Sequence, residues 1–154
     1  MNPKLLIVTD LGLLKAYKLA ITPRGSLHLD RIKTEALKEA HYRLIEKGTD
    51  LACRRASPTQ KKWGAPVADS RNLKLETKRR LVKKLAQLVE ELIQKNSECD
   101  VWPAAPREIN YVLTSALLKS VKQRIETNLT LNLAHSDEKA LVEYFAPPAF
   151  VKAA

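Results

Sequence analysis

Leu5-Leu6-Ile7-Val8 is an unbroken apolar run near the start of the chain. Along an extended backbone successive side chains point to opposite faces, so a run of this kind needs apolar cover above and below. It predicts a strand inside a layered domain rather than one half exposed to water. Asp10-Leu11-Gly12 ends the run with turn chemistry. The rest of the chain must therefore supply neighbouring strands and elements that pack on both faces.

The neighbours are legible in outline. After the turn, Leu13, Tyr17, Leu19 and Ile21 fall on one side and Lys18 on the other, which predicts a second strand. Thr22-Pro23-Arg24-Gly25 suits a type I turn, and a third strand over about 26–33 completes a meander. Leu37, Ala40, Leu44 and Ile45 at helical spacing, ahead of Gly48, predict a short helix over 35–47. Residues 49–72, with Pro58, Gly64 and Pro66, read as a long irregular loop. The clearest helix covers about 73–96, where Leu81, Val82, Leu85, Leu88, Val89, Leu92 and Ile93 share one arc. A strand from Cys99 to Ala104 follows. Pro106 opens a helix with Ile109, Leu113 and Leu117 along one stripe. A strand over 121–130 comes next, then a last helix capped by Ser136, with Asp137 and Glu138 in its first turn and Leu141, Val142 and Phe145 on its apolar side. Pro147-Pro148 ends it and leaves a frayed tail over 147–154. The expected fold is α/β: one domain over 1–146, with a mixed sheet, an N-terminal antiparallel meander and helices packed on it.

A chain of 154 residues buries roughly 68–70% of its unfolded surface, enough for a core without staples. Cys53 and Cys99 have neither metal spacing nor a framework of pairs, and read as reduced thiols. Asp10 interrupts the only apolar run near the N-terminus before a signal core forms. No stretch approaches the roughly 18 apolar residues of a membrane span. A cytoplasmic protein is the expectation.

The net charge of +10 is unevenly spread. Residues 1–53 carry nine cations against six anions, 54–84 carry eleven against two, and 85–154 carry seven against nine. Nearly all the excess lies in 31 residues, and a focused patch attracts polyanions. On the long helix, Lys74, Lys78, Arg79, Arg80, Lys83 and Lys84 crowd the first turns while Glu90 and Glu91 lie toward the end. That is the reverse of what the helix dipole favours, and an external anion would offset it. The preceding loop adds Arg54, Arg55, Lys61, Lys62 and Arg71, with Trp63 beside the lysines. Cations interleaved with an aromatic suit single-stranded nucleic acid, because phosphates meet charge and bases stack on rings. The plainer alternatives are a solvated helix face and a Trp63 packed in the core.

Catalytic signatures are missing. None of Gly12, Gly25, Gly48 and Gly64 precedes a Lys-Ser or Lys-Thr pair, and no Gly-x-Ser-x-Gly elbow occurs. His28, His41 and His135 have no His or Cys neighbour at ligand spacing. Asp10 and Glu126, at expected strand ends, are the one carboxylate pair that would share a divalent metal as nucleases require. No cofactor is expected, and no reaction is assigned.

Leu5-Leu6-Ile7-Val8-Thr9-Asp10 running into Ala16-Tyr17-Lys18-Leu19 resembles the opening of the bacterial host attachment protein family. Val101-Trp102-Pro103-Ala104-Ala105-Pro106-Arg107 and Ile125-Glu126-Thr127-Asn128-Leu129-Thr130, followed by an amphipathic helix, are similar to later segments of it. The resemblance implies kinship with the central domain of archaeal and eukaryotic peptide release factors and of Pelota. It therefore implies a ribonuclease H-like sheet and a ribosomal connection, along with a role in attachment to host cells. In release factors a Gly-Gly-Gln loop precedes the long helix. The matching stretch, about 54–72, holds Gln60 and Gly64 but no Gly-Gly-Gln, and the family's Asp-Lys-Asp-Leu-Thr run stands here as Glu126-Thr127-Asn128-Leu129-Thr130. Three functions follow in order of preference: a non-catalytic module contacting RNA or the ribosome through the basic loop and helix start, an interaction protein for host attachment or an acidic protein partner, and a metal-dependent nuclease.

Overall fold

The computed structural model describes residues 3–21, 27–41 and 66–145; within the last span side chains are described at 72 and from 74 onward. Strand β1 (Lys4–Thr9) pairs antiparallel with β2 (Leu13–Ile21), which pairs antiparallel with β3 (Leu27–Ala36). On its other side β1 runs parallel to β4 (Asp100–Ala104), so the strand order is β3-β2-β1-β4. The sheet is mixed and the class is α/β, as expected. Helix α1 (Lys38–His41) follows β3, and α2 (Pro66–Lys95) leads into β4. Then come α3 (Arg107–Ala116), the short α4 (Lys119–Lys122) and α5 (Glu138–Phe145).

The apolar run at Leu5–Val8 is covered on both sides, as its pattern demanded. Leu5 and Ile7, with Leu14, Ala16 and Val101, face Leu85, Val89 and Ile93 of α2 and Ile109 and Leu113 of α3. Leu6 and Val8, with Tyr17, Leu29 and Trp102, face Leu133, Ala134 and the α5 residues Leu141 and Phe145. Trp102 and Phe145 stack at 5.9 Å between ring centroids, which pins α5 to β4. Burial of Tyr17 raises its phenol pKa, and the nearby Glu138 carboxylate adds to the effect against the opposing pull of Arg31.

Several expectations are corrected. Helix α2 begins at Pro66, so 66–72 is helical rather than loop. Proline is tolerated in a first helical turn, where its missing N–H has no partner to lose, and no Gly or Pro interrupts the chain from 67 to 95. The rest of the expected loop, and residues 42–47 of the expected helix over 35–47, lie outside the described residues. Within it, 35 and 36 belong to β3, and α1 starts at Lys38. Strand β3 also continues past 33, through a bulge: Ala16 pairs with Lys33 and Tyr17 with Arg31, leaving Ile32 unmatched. Pro106 is extended (φ −55, ψ 144) and stands just before α3 rather than inside it. Asp137, not Ser136, supplies the carbonyl that accepts the Leu141 N–H, one residue closer to α5. The tail over 147–154 lies outside the described residues.

The strand expected over 121–130 is reduced to α4 and two parallel rungs beside β4, Val101 with Ile125 and Ala104 with Leu129. The reason is in β4. Its odd-numbered N–H groups point to this side, Val101 donating to the Arg124 carbonyl and Ala105 to that of Leu129. Between them stands Pro103, which has no N–H. The ladder is interrupted there, and three β4 steps face four residues of the neighbour, so 126–128 bows out. A reciprocal amide pair holds the bowed segment: Asn110 Nδ2 donates to Asn128 Oδ1 and Asn128 Nδ2 to Asn110 Oδ1, both at 2.8 Å.

Candidate nucleic-acid interface

Thirty helical residues span about 45 Å, more than twice the roughly 20 Å of a six-residue strand. Among the described side chains of α2 the first buried one is Leu81, and none from 72 to 80 is buried. The helix is therefore anchored by its second half through Leu81, Val82, Leu85, Val89, Leu92 and Ile93. At about 1.5–3 kcal/mol per buried side chain, that anchor is on the order of 10 kcal/mol. It is ample to hold the described, unburied side chains from 74 to 80 in place.

Arg79, Arg80, Lys83 and Lys84 are exposed and project away from this apolar arc, with Lys74 exposed two turns earlier. Glu76 is the one acid among the described side chains from 72 to 89. Lys84 lies 3.7 Å from Glu39, and Lys78 lies 3.9 Å from Glu108. Exposed pairs like these are worth about 0–1 kcal/mol and leave most of the local field intact. Lys74, Arg79, Arg80 and Lys83 form no ion pair with any described residue. Of the expected site residues, the structure thus brings these helix cations together along about 15 Å. Arg54, Arg55, Lys61, Lys62 and Trp63 lie outside the described residues, as does the side chain of Arg71.

The helix dipole does not bear on these cations, contrary to expectation. With α2 starting at Pro66, the first turn contains Asp69, and Lys78 to Lys84 sit three turns or more inside the helix. Dipole effects fade within the first turn, and Lys95 in the last turn has the favoured sign. The cost that remains is repulsion. Arg79 with Lys83, and Arg80 with Lys84, are like charges at i,i+4, each destabilising by about 0.2–0.5 kcal/mol.

The carboxylates proposed as a metal pair are separated. Asp10 follows the C-terminal end of β1, where its Oδ1 accepts hydrogen bonds from the N–H groups of Gly12 and Leu13, both at 2.7 Å. Its Oδ2 lies 2.9 Å from His135 Nε2. These groups line an open depression of about 380 Å³ with Pro106, Glu108 and Asn132. Its carboxylates repel a polyanion. Glu126 stands at the other end of β1, about 20 Å away, so the two cannot share an ion. Among the described residues no group of three or more His, Cys, Asp or Glu side chains is placed to hold a metal. Cys99 is a buried free thiol, His28 is an exposed strand residue 3.2 Å from Asp30, and no described helix is long and apolar enough to cross a membrane.

Glu126 instead closes a structural knot. Its Oε2 accepts from Lys4 Nζ at 2.9 Å and Trp102 Nε1 at 2.7 Å, while the ammonium lies 3.9 Å from the centre of the Trp102 ring. The Lys4 hydrogen bond, then the Trp102 one, hold its carboxyl pKa below the usual value. A depressed carboxylate contributes stability above its unfolded pKa and loses it as pH falls through the folded value. Acid titration of unfolding stability should therefore decline less steeply for Glu126→Gln than for the wild type below about pH 4.5; parallel curves would contradict this.

No family model matches the sequence, and no curated protein matches it either.

Proposed function

We propose that this protein is a non-catalytic module that contacts single-stranded RNA, ribosomal RNA first among the candidates, through the exposed cations of α2. The observation that carries the reading is the segregation of charge along that helix. Lys74, Arg79, Arg80, Lys83 and Lys84 are exposed where the helix is unburied or faces outward, with one acid among them. Cations so placed repel one another and contribute nothing to packing, whereas a phosphate backbone would pair with them and release counterions. The adjoining sequence 54–71 extends the same charge toward the N-terminus.

The strand order β3-β2-β1-β4, with parallel rungs to a fifth position beside β4, is compatible with a ribonuclease H-like sheet. It supports the kinship with release-factor central domains that the sequence suggests. Binding rather than cleavage is favoured because Asp10 and Glu126 lie too far apart to share a metal. Titration of a labelled single-stranded oligoribonucleotide between about 50 and 200 mM salt is the test. Four to six engaged phosphates predict a slope of about −3 to −5 in log affinity against log salt. A flat response would remove the electrostatic mode. Capture of an acidic protein with no RNA would point to the attachment function instead.

A further inference from the structure

A second cationic surface lies one helix away from α2, and it carries an aromatic. Between α3 and the segment 126–130 runs an open groove of about 540 Å³, lined among others by Arg107, Asn110, Tyr111, Thr114, Lys122 and Asn128. Two of its lining residues are cations and none is an acid. Tyr111 is 80% exposed, so its ring is bare on the groove wall. Lys122 Nζ donates to the Ser115 carbonyl at 3.0 Å, which holds the ammonium over the groove with N–H groups to spare. Arg107 forms no ion pair with a described residue. The floor is rigid, because Asn110 is 6% exposed and paired reciprocally with Asn128.

The groove adjoins the α2 stripe. Glu90 Oε1 accepts the Leu118 N–H just beyond α3, and Lys78 approaches Glu108 in the first turn of α3, so α2 and α3 run side by side in the same direction. Arg79, Lys83 and Glu90 share one stripe at 100° per residue, and the Glu90 contact shows that this stripe faces the α3 side. Packed helices lie about 8–10 Å apart. A chain paired with Arg79 and Lys83 therefore has the outer ridge of α3 to cross before reaching Tyr111, passing the exposed Glu108, whose charge Lys78 offsets at 3.9 Å.

We propose that Tyr111 is a base-stacking platform, with Arg107 and Lys122 meeting the flanking phosphates of the RNA strand that crosses α2. This rests on the RNA reading above and adds to it a site that contacts bases. Base-on-aromatic stacking needs a bare ring and tolerates any base, and guanidinium and ammonium groups on either side match the charge of the adjoining phosphates.

The test compares an oligoadenylate with an abasic strand of equal length and charge, in the wild type, Tyr111→Ala and Tyr111→Phe. The wild type and Tyr111→Phe should prefer the oligoadenylate. Tyr111→Ala should bind it about 5- to 150-fold more weakly while holding the abasic strand as before. Equal, salt-dependent binding of both strands by the wild type and Tyr111→Ala would overturn the stacking site and leave the α2 reading standing. Binding of neither strand would remove both.

Discussion

Alanine at Arg79, Arg80, Lys83 and Lys84 together is expected to weaken oligoribonucleotide binding roughly 10²–10³-fold near 100 mM salt, through loss of about three from the magnitude of the salt slope. All four side chains are exposed on the outward half of α2, and the buried arc through Leu81, Val82 and Leu85 is untouched. The folding penalty is therefore limited to the exposed Lys84–Glu39 pair, about 0–1 kcal/mol. Two like-charge i,i+4 pairs disappear, worth about 0.2–0.5 kcal/mol each, so the melting temperature should stay level or rise slightly. The charge-conserving exchange of Arg79 and Arg80 for Lys retains most of the slope. Unchanged binding by a well-folded alanine variant would show that the patch is only a solvated surface.

Arg124→Ala is expected to cost about 2–4 kcal/mol of folding stability, well above the roughly 0–1 kcal/mol of an exposed ion pair. The guanidinium donates from Nη1 to the Ile93 carbonyl at 2.9 Å, and from Nη2 to the carbonyls of Asn96 and Cys99, both at 2.7 Å. These acceptors sit at the C-terminus of α2 and in the turn to β4, where carbonyls lack helical partners and a cation has the favoured sign. Hydrogen bonds from a charged donor contribute about 1.5–3 kcal/mol each, though not additively. At about 2–4 °C per kcal/mol for a chain of this size, the midpoint should fall by roughly 5–15 °C. Arg124→Lys keeps the charge but not the fork and should recover only part of the loss. A thermal scan showing a shift below about 2 °C would mean that water serves these carbonyls equally well.

Much of the fold was legible in the residues. The apolar run Leu5–Val8 announced a strand covered on both faces, and both layers are present. The periodic apolar residues from Leu81 to Ile93 located the α2 anchor and, by opposition, its outward cations. What was read poorly were segments whose state depends on distant partners. The 121–130 stretch looks like a strand, yet its ladder depends on N–H groups supplied by β4, and Pro103 withholds the central one. The helix start is hidden in the sequence because Gly64 and Pro66 are turn residues in most contexts. Arg124 offers no local signal, since a clamp on carbonyls 25 to 31 residues away has no sequence spacing. Tyr111 carries no signal for the same reason, because exposure at one position of an amphipathic helix depends on what packs beside it.

Local order therefore determined by itself the class of fold, the main helices and strands, and the concentration of cations in one stretch, because periodicity and charge are properties of neighbours along a chain. Only the tertiary structure decided that Asp10 and Glu126 stand at opposite ends of one strand, and that a bare tyrosine between two cations lies one helix from the basic stripe. Those relations arise where β4, α2 and α3 meet, and distances across a packed core are not written in the spacing of residues.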